Sequence, residues 1–349
     1  MLITIIVIVG LSLLIVGHEL GHFGVAKFFK MRVDEFGIGF PPRLWAKKKR
    51  ETEYSFNWLP FGGFVKIAGE DPEKAEEQVA SGQVASSEKD CLFSFRPAWQ
   101  RFLVIVAGVV ANFILGWWLL SIALMIGTPS AVVVAGVDAG SPAAQAGIAA
   151  GDVIKEFRTA EEFINYVNQN KGKAIELQAL KGSGEKVIRV TPRENPPPGE
   201  GAIGVQLAEA GEAPHGFFSA LWEGLMRAGL IIGLTFQAVW EMLRSLVMQG
   251  SVSADVVGPL GIVSVAQRTS EIGFAYLLQL LSLISLNLAV INLIPFPALD
   301  GGRLLLIFVE KIKGSPIPRR VEGFINGIGF VLLLILMVVV TVRDVIRLF

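Results

Sequence analysis

The sequence is short of the residues that most enzymes use for chemistry. It has one cysteine, Cys91, which excludes an intrachain disulfide and leaves the redox compartment unreadable. It has 3 histidines, so any imidazole chemistry must use almost all of them. There is no excess of either charge: Lys+Arg 31 and Asp+Glu 31 cancel to a formal net charge of +0, which gives no electrostatic reason to expect a nucleic-acid partner. What fills the chain instead is apolar. Hydrophobic residues make up 52% and mean hydropathy is +0.56, too high for an ordinary soluble protein.

The apolar residues are concentrated in runs. Leu2 to Phe29, Phe102 to Ile126 and Phe274 to Ile294 each reach the length of about 20 residues that a helix needs to cross a bilayer. Phe324 to Val342 is slightly shorter and uncharged. The first run lacks a basic leader and a small-residue cleavage site, so it reads as a retained span. Basic residues cluster after the first run (Lys27 to Arg50) and after the third (Arg303 to Arg320). Both loops therefore read as cytoplasmic, and the stretch after the second run as external. The expected fold is a polytopic α-helical membrane protein of about four transmembrane helices, lying in a lipid bilayer.

The segments between the runs differ in kind. Residues 33–70 alternate short apolar stretches with Gly and Pro, as strands and turns do, and suggest a sheet on or in the cytoplasmic membrane face. Residues 71–90 are small and polar and read as a mobile loop. Residues 131–208 form an α/β insert: strand "AVVVAGV", short helix in "GSPAAQAGIAAGDVI", helix "AEEFINYVNQN", a hairpin turning at Gly182 to Gly184, and strand "IGVQL". Residues 217–248 are apolar but carry Glu223, Arg227, Glu241 and Arg244. A fifth crossing there would put Asp300 and the basic loop after it outside, so an amphipathic pair of helices on the outer face is preferred. The expected divisions are 1–30, 31–98, 99–127, 128–210, 211–272 and 273–349.

The chemistry lies in "GHELGH", residues 17–22. Positions four apart share a helix face, so His18 and His22 can bind one metal ion with Glu19 beside them. Ionisable groups inside a span are expensive and by default mark a functional site. A catalytic zinc takes three protein ligands and keeps a position for water. Asp300, in "NLIPFPALDGGRLLL", follows a run that ends on the same side as His22. It can be the third ligand, the N-cap of the helix after it, or both. A scaffold reading would leave His18, Glu19, His22 and Asp300 unexplained. A metal transporter would need more ligands along its spans than Asn112, Asn287 and Asn292 provide.

Two resemblances follow from these motifs. "SPAAQAGIAAGDVI" is similar to the PDZ pattern, and the insert to a PDZ domain. H-E-L-G-H in a first span, a PDZ insert and N-x-x-P-x-P-x-L-D-G in a later span together resemble the site-2 protease family of intramembrane metalloproteases, nearest its bacterial regulator-of-sigma group. The resemblance implies Zn²⁺ held by His18, His22 and Asp300, with Glu19 as catalytic base. It implies Asn292 and Asn287 as substrate contacts, and "FGIGF" (Gly37, Ile38 and Gly39) as the strand that pairs with the substrate. "GPLGI" at 258–262 matches a further family segment. The implied substrates are single-pass membrane proteins already shortened outside, such as anti-sigma factors, or leftover signal peptides, with a truncated ectodomain or peptide contacting the PDZ domain. The implied location is the bacterial cytoplasmic membrane, with the active site near the cytoplasmic face and the PDZ domain outside.

Overall fold

A computed structural model describes residues 2–70, 72–81, 86–154, 156–181, 184–197, 199–249, 265, 273–315 and 317–348. "GPLGI" and the first two residues of the expected turn at Gly182 to Gly184 lie outside them. The chain divides into two compact units, one of 1–120, 221–266 and 279–349, the other of 121–220 and 267–278.

The apolar runs form long helices. They are α1 (Leu2–Phe28), α3 (Ala98–Ile126), α6 (Phe217–Gln249), α7 (Phe274–Leu293) and α9 (Arg319–Leu348). All five are long and apolar enough to cross a membrane by length and composition. Small residues let them approach closely. A Cβ on Gly21 of α1 would lie 2.3 Å from the Ala107 carbonyl oxygen of α3. On α7, Ser282 Oγ donates to the Gly116 carbonyl (2.7 Å) and Ser285 Oγ to the Asn112 carbonyl (2.8 Å). Near one end, Arg101 of α3 meets Glu310 of α8 (Asp300–Lys313) at 2.9 Å.

Residues 217–248 correct the expected pair of helices, because they belong to a single helix. The charges that suggested a break are satisfied along it: Arg227 pairs with Glu223 at 2.9 Å, and Gln237 donates to Glu241 at 2.8 Å. Such i, i+4 pairs support helix rather than interrupt it. Residues 71–90 are likewise more ordered than their polarity implied. They contain α2 (Pro72–Ala80) and a 3₁₀ turn over Ser86–Cys91. Proline suits a first helical position, and the Glu and Ala that follow favour helix.

Residues 33–67 form β1 (Val33–Lys49) and β2 (Thr52–Ile67), which curl on each other. Arg43↔Asn57 to Lys49↔Thr52 make an antiparallel hairpin. The start of β1 is enclosed on two sides: Gly37 pairs with Phe64 and Ser55, and Ile38 with Gly63 and Phe56. The expectation that "FGIGF" offers a free edge is thus corrected, since the chain returns along both flanks of Phe36 to Ile38.

The second unit is a five-stranded antiparallel sheet in the order β6-β5-β4-β3-β7. Its strands are β3 (Thr128–Val137), β4 (Val153–Ile154), β5 (Ile175–Lys181), β6 (Gly184–Val190) and β7 (Val205–Glu212). Helices α4 (Pro142–Gln145) and α5 (Ala160–Gln169) begin at Ser141 and Thr159, each of which caps its helix with a side-chain oxygen. Val132, Ile154, Phe163, Leu177 and Ile188 form a buried core of the unit's own. Burying each such side chain contributes about 1.5–3 kcal/mol.

Candidate metal centre

His18 and His22 stand one turn apart on α1, and both are 8% exposed. The turn between α7 and α8 brings Asp300 to them. Pro295 and Pro297 stop α7, and Ala298 takes the left-handed conformation, φ 71°. α8 then folds back so tightly that a Cβ on Gly301 would lie 2.1 Å from the Ile294 carbonyl oxygen, and one on Gly302 2.4 Å from that of Phe296. Only glycine fits there. Asp300 sits in the first turn of α8, while the N-cap residue is Leu299, with no side-chain bond. The carboxylate is therefore left to the histidines.

Asp300 Oδ2 lies 3.0 Å from His18 Nε2 and 3.4 Å from His22 Nε2, and the two Nε2 atoms are 3.1 Å apart. Yet Oδ2 is buried and accepts no aligned hydrogen bond. The three atoms face a common point instead of each other, as lone pairs do around a cation. His18, His22 and Asp300 form a metal-sized cluster with ligand atoms all within 4.8 Å of one another. Burial works to raise the Asp300 carboxyl, but the two imidazoles beside it outweigh burial and hold it below the usual carboxylate range.

The surrounding groups fix the ligand orientations. His22 Nδ1 lies 2.8 Å from the Val104 carbonyl oxygen, which can only accept, so this nitrogen carries the proton and Nε2 keeps its lone pair. Asn112 is buried, with an amide atom 3.2 Å from His18 Nδ1, and its Oδ1 is unpartnered when the amide nitrogen faces that ring. Turning the amide over resolves both facts: Oδ1 accepts from His18 Nδ1–H, and His18 Nε2 becomes a ligand. Gly108, one turn before Asn112, makes room, because a Cβ there would lie 2.4 Å from His22 Nε2. Glu19 Oε2 accepts the Val65 N–H at 3.1 Å. Its side chain joins the histidines, Phe64, Asp300 and Arg303 around a cavity of about 260 Å³.

The expected site residues thus fall into two groups. His18, Glu19, His22 and Asp300 come together. Asn287 and Asn292 do not line the cavity, and Asn287 Oδ1 accepts from Thr235 of α6 at 2.7 Å. Gly37 and Ile38 are interior to the sheet. Asn112, Gly108 and Val104 were not singled out as site residues. Their signal is a small or polar residue at successive turns of α3, which acquires meaning only once α1 is known to pack there.

Two histidines and a carboxylate converging on one point, with a second carboxylate alongside, within a set of long apolar helices, define a metal-dependent hydrolase of the membrane. Comparison with known proteins agrees. The model of peptidase family M50 matches residues 6–336. The regulator of sigma-W protease RasP of Bacillus subtilis is 32% identical over 409 residues, covering 95% of this chain and 95% of the relative. The zinc metalloprotease RasP of Bacillus licheniformis is 31% identical over 418 residues, covering 95% and 96%. That of Geobacillus kaustophilus is 32% identical over 428 residues, covering 100% and 98%. The chain belongs to peptidase family M50, the site-2 protease family, and is an intramembrane zinc metalloprotease.

Proposed function

We propose that His18, His22 and Asp300 hold the zinc, that Glu19 moves the proton, and that the substrates are single-pass membrane proteins cut within their membrane segments. The convergence of the three ligand atoms beside Glu19 carries this reading. When bound, zinc supplies a Lewis acid that acidifies water and polarises a carbonyl. Glu19 takes the proton from the attacking water and passes it to the departing amine nitrogen. Its bond to Val65 N–H occupies Oε2 and leaves Oε1 for this task. Bound zinc per chain, measured together with cleavage of a transmembrane peptide in liposomes, tests the proposal. Zinc without cleavage, or cleavage without zinc, would remove it.

Peptide bonds in a membrane helix are shielded by their internal hydrogen bonds, so a substrate must be unwound and held as a strand. Gly62 to Val65 is the better candidate edge than "FGIGF". It pairs with β1 on one side and has no strand partner on the other among the described residues. It also contributes Phe64 and Val65 to the cavity wall.

His18 depends on Asn112 for its tautomer. Asn112→Leu is expected to lower zinc affinity about 10- to 100-fold, the usual cost of losing a group that orients a ligand. Asn112→Asp keeps an acceptor and should retain more zinc. Equal zinc affinity of the leucine variant and the parent, by competition with a chelator, would show that Asn112 does not orient the ring.

We read the second unit as a PDZ domain outside the bacterial cytoplasmic membrane, with the zinc near the cytoplasmic face. An apolar cleft of about 450 Å³, lined by Phe163 and Val167 of α5 and Val205 and Leu207 of β7, suits a peptide or the stump of a truncated ectodomain. The anti-sigma factor substrate class is supported by the name of the B. subtilis relative. Replacing 131–208 by a short linker should preserve zinc and some cleavage of a pre-shortened substrate. It should also relax discrimination against large ectodomains. A deletion that folds and binds zinc yet cuts nothing would mean the domain serves catalysis, not selection.

A further inference from the structure

We infer that the cytoplasmic foot of α1 carries a binding site for the phosphate headgroup of an anionic phospholipid. A cavity of about 620 Å³ opens between the end of α1 and the β1–β2 turn, separate from the metal centre. Its lining includes four cations, Lys27, Lys30, Lys49 and Arg50, against one carboxylate, Glu51. Lys27 takes that carboxylate at 2.5 Å. Lys30, Lys49 and Arg50 have no carboxylate within ion-pair distance among the described residues. Three like charges around one hollow repel each other and favour an anion between them. Two of them are also held in the left-handed backbone region, Lys30 at φ 56° and Arg50 at φ 57°. That conformation is uncommon for residues with a side chain and clusters at ligand sites.

A phosphate-bearing molecule satisfies the cations, and the surroundings favour one with acyl chains. Strand partners share a face of a sheet, and alternate pairs repeat it. Lys49↔Thr52, Lys47↔Tyr54 and Trp45↔Phe56 therefore lie on one face, and Thr52 and Tyr54 line the cavity. Trp45 and Phe56 continue that face as exposed apolar surface, 58% and 46% exposed. On α1, Leu20, Phe23 and Lys27 share a face, and Leu20 is 50% exposed. The cavity thus has a cationic end and apolar continuations. The apolar span Ile8–Phe28 ends at the cationic end, where headgroups lie. Trp99, exposed and edge-to-face with Phe29, suits the same boundary. Inorganic phosphate would use only the cationic half.

The test uses the full-length, zinc-loaded protein in a neutral detergent, titrated with fluorescent phosphatidylglycerol and with phosphatidylcholine. The parent should prefer phosphatidylglycerol. Each cation removed should weaken it roughly fivefold at low ionic strength, so Lys49→Gln loses about fivefold and Lys30→Gln/Lys49→Gln/Arg50→Gln about a hundredfold. A charge-matched control, Lys171→Gln/Lys173→Gln/Lys186→Gln in the second unit, should lose nothing. Millimolar inorganic phosphate should fail to displace the lipid. Equal phosphatidylglycerol affinity of Lys49→Gln and the control would overturn the site. Displacement by millimolar phosphate would assign it to a soluble anion and overturn the lipid. Neither outcome depends on proteolysis.

Discussion

Glu19→Gln is expected to retain zinc and lose cleavage. The substitution keeps the shape of the side chain and an oxygen able to accept the Val65 N–H, which now lies 3.1 Å from Glu19 Oε2. The ligand atoms of His18, His22 and Asp300 are untouched. What disappears is the carboxylate that accepts a proton from water and returns it to the amine. Positioned general bases contribute about 10²- to 10⁴-fold, and a loss of this order is expected in turnover of a transmembrane peptide. Asp300→Ala should do the reverse at the metal, lowering zinc content because a ligand is gone. The two phenotypes separate proton transfer from metal binding. A pure Glu19→Gln protein with near-normal turnover would sink the assignment of Glu19 as base, whatever its zinc content.

Gly108→Ala is expected to empty the metal site without unfolding the helix. Alanine is the better helix former, so α3 itself does not suffer. The added Cβ, however, would lie 2.4 Å from His22 Nε2 and 2.7 Å from His18 Cε1, closer than real contacts allow. The neighbouring helix backbone leaves the rings nowhere to retreat without breaking the bond from His22 Nδ1–H to the Val104 carbonyl. A loss of zinc affinity of at least about a hundredfold is expected, as when ligand orientation fails. Gly24→Ala is the control: it lies on the same α1 as the histidines, and nothing lies within 4 Å of its added Cβ. Full zinc occupancy in Gly108→Ala, measured against that control, would show that the ligand rings have more room than the geometry implies.

Comparing sequence with structure shows which parts of this site a linear reading can reach. His18, Glu19 and His22 were legible because a helix turns their spacing into geometry without help from elsewhere. Asp300 was legible because the two prolines and two glycines around it announce a tight break after a span. Asn112 and Gly108 were not, because their role depends on the register of α3 against α1. The edge strand was misplaced for the same reason. "FGIGF" has the look of an uncrowded strand, but its freedom depends on Tyr54 to Phe56 and Gly63 to Val65, which return to flank it. Helix α6 was misread as two because its charges were counted singly, whereas Glu223 and Arg227 neutralise each other within one turn.

Gly108, Asn112 and Gly116 follow each other at four-residue steps along α3. Gly108 admits the imidazoles of α1, while the carbonyls of Asn112 and Gly116 receive the two serines of α7. This stripe makes α3 intolerant of changes in length. One residue inserted between 108 and 112 rotates everything beyond it by about 100°. The serine bonds and the histidine bond of Asn112 would then face away from their partners while Gly108 stayed in place. An insertion of four residues nearly restores the rotation but lengthens the helix by about 6 Å, again parting the two ends of the stripe. Insertions should therefore be tolerated in the 71–90 connection and excluded from 108–116, even though both segments are far apart from Glu19 in sequence.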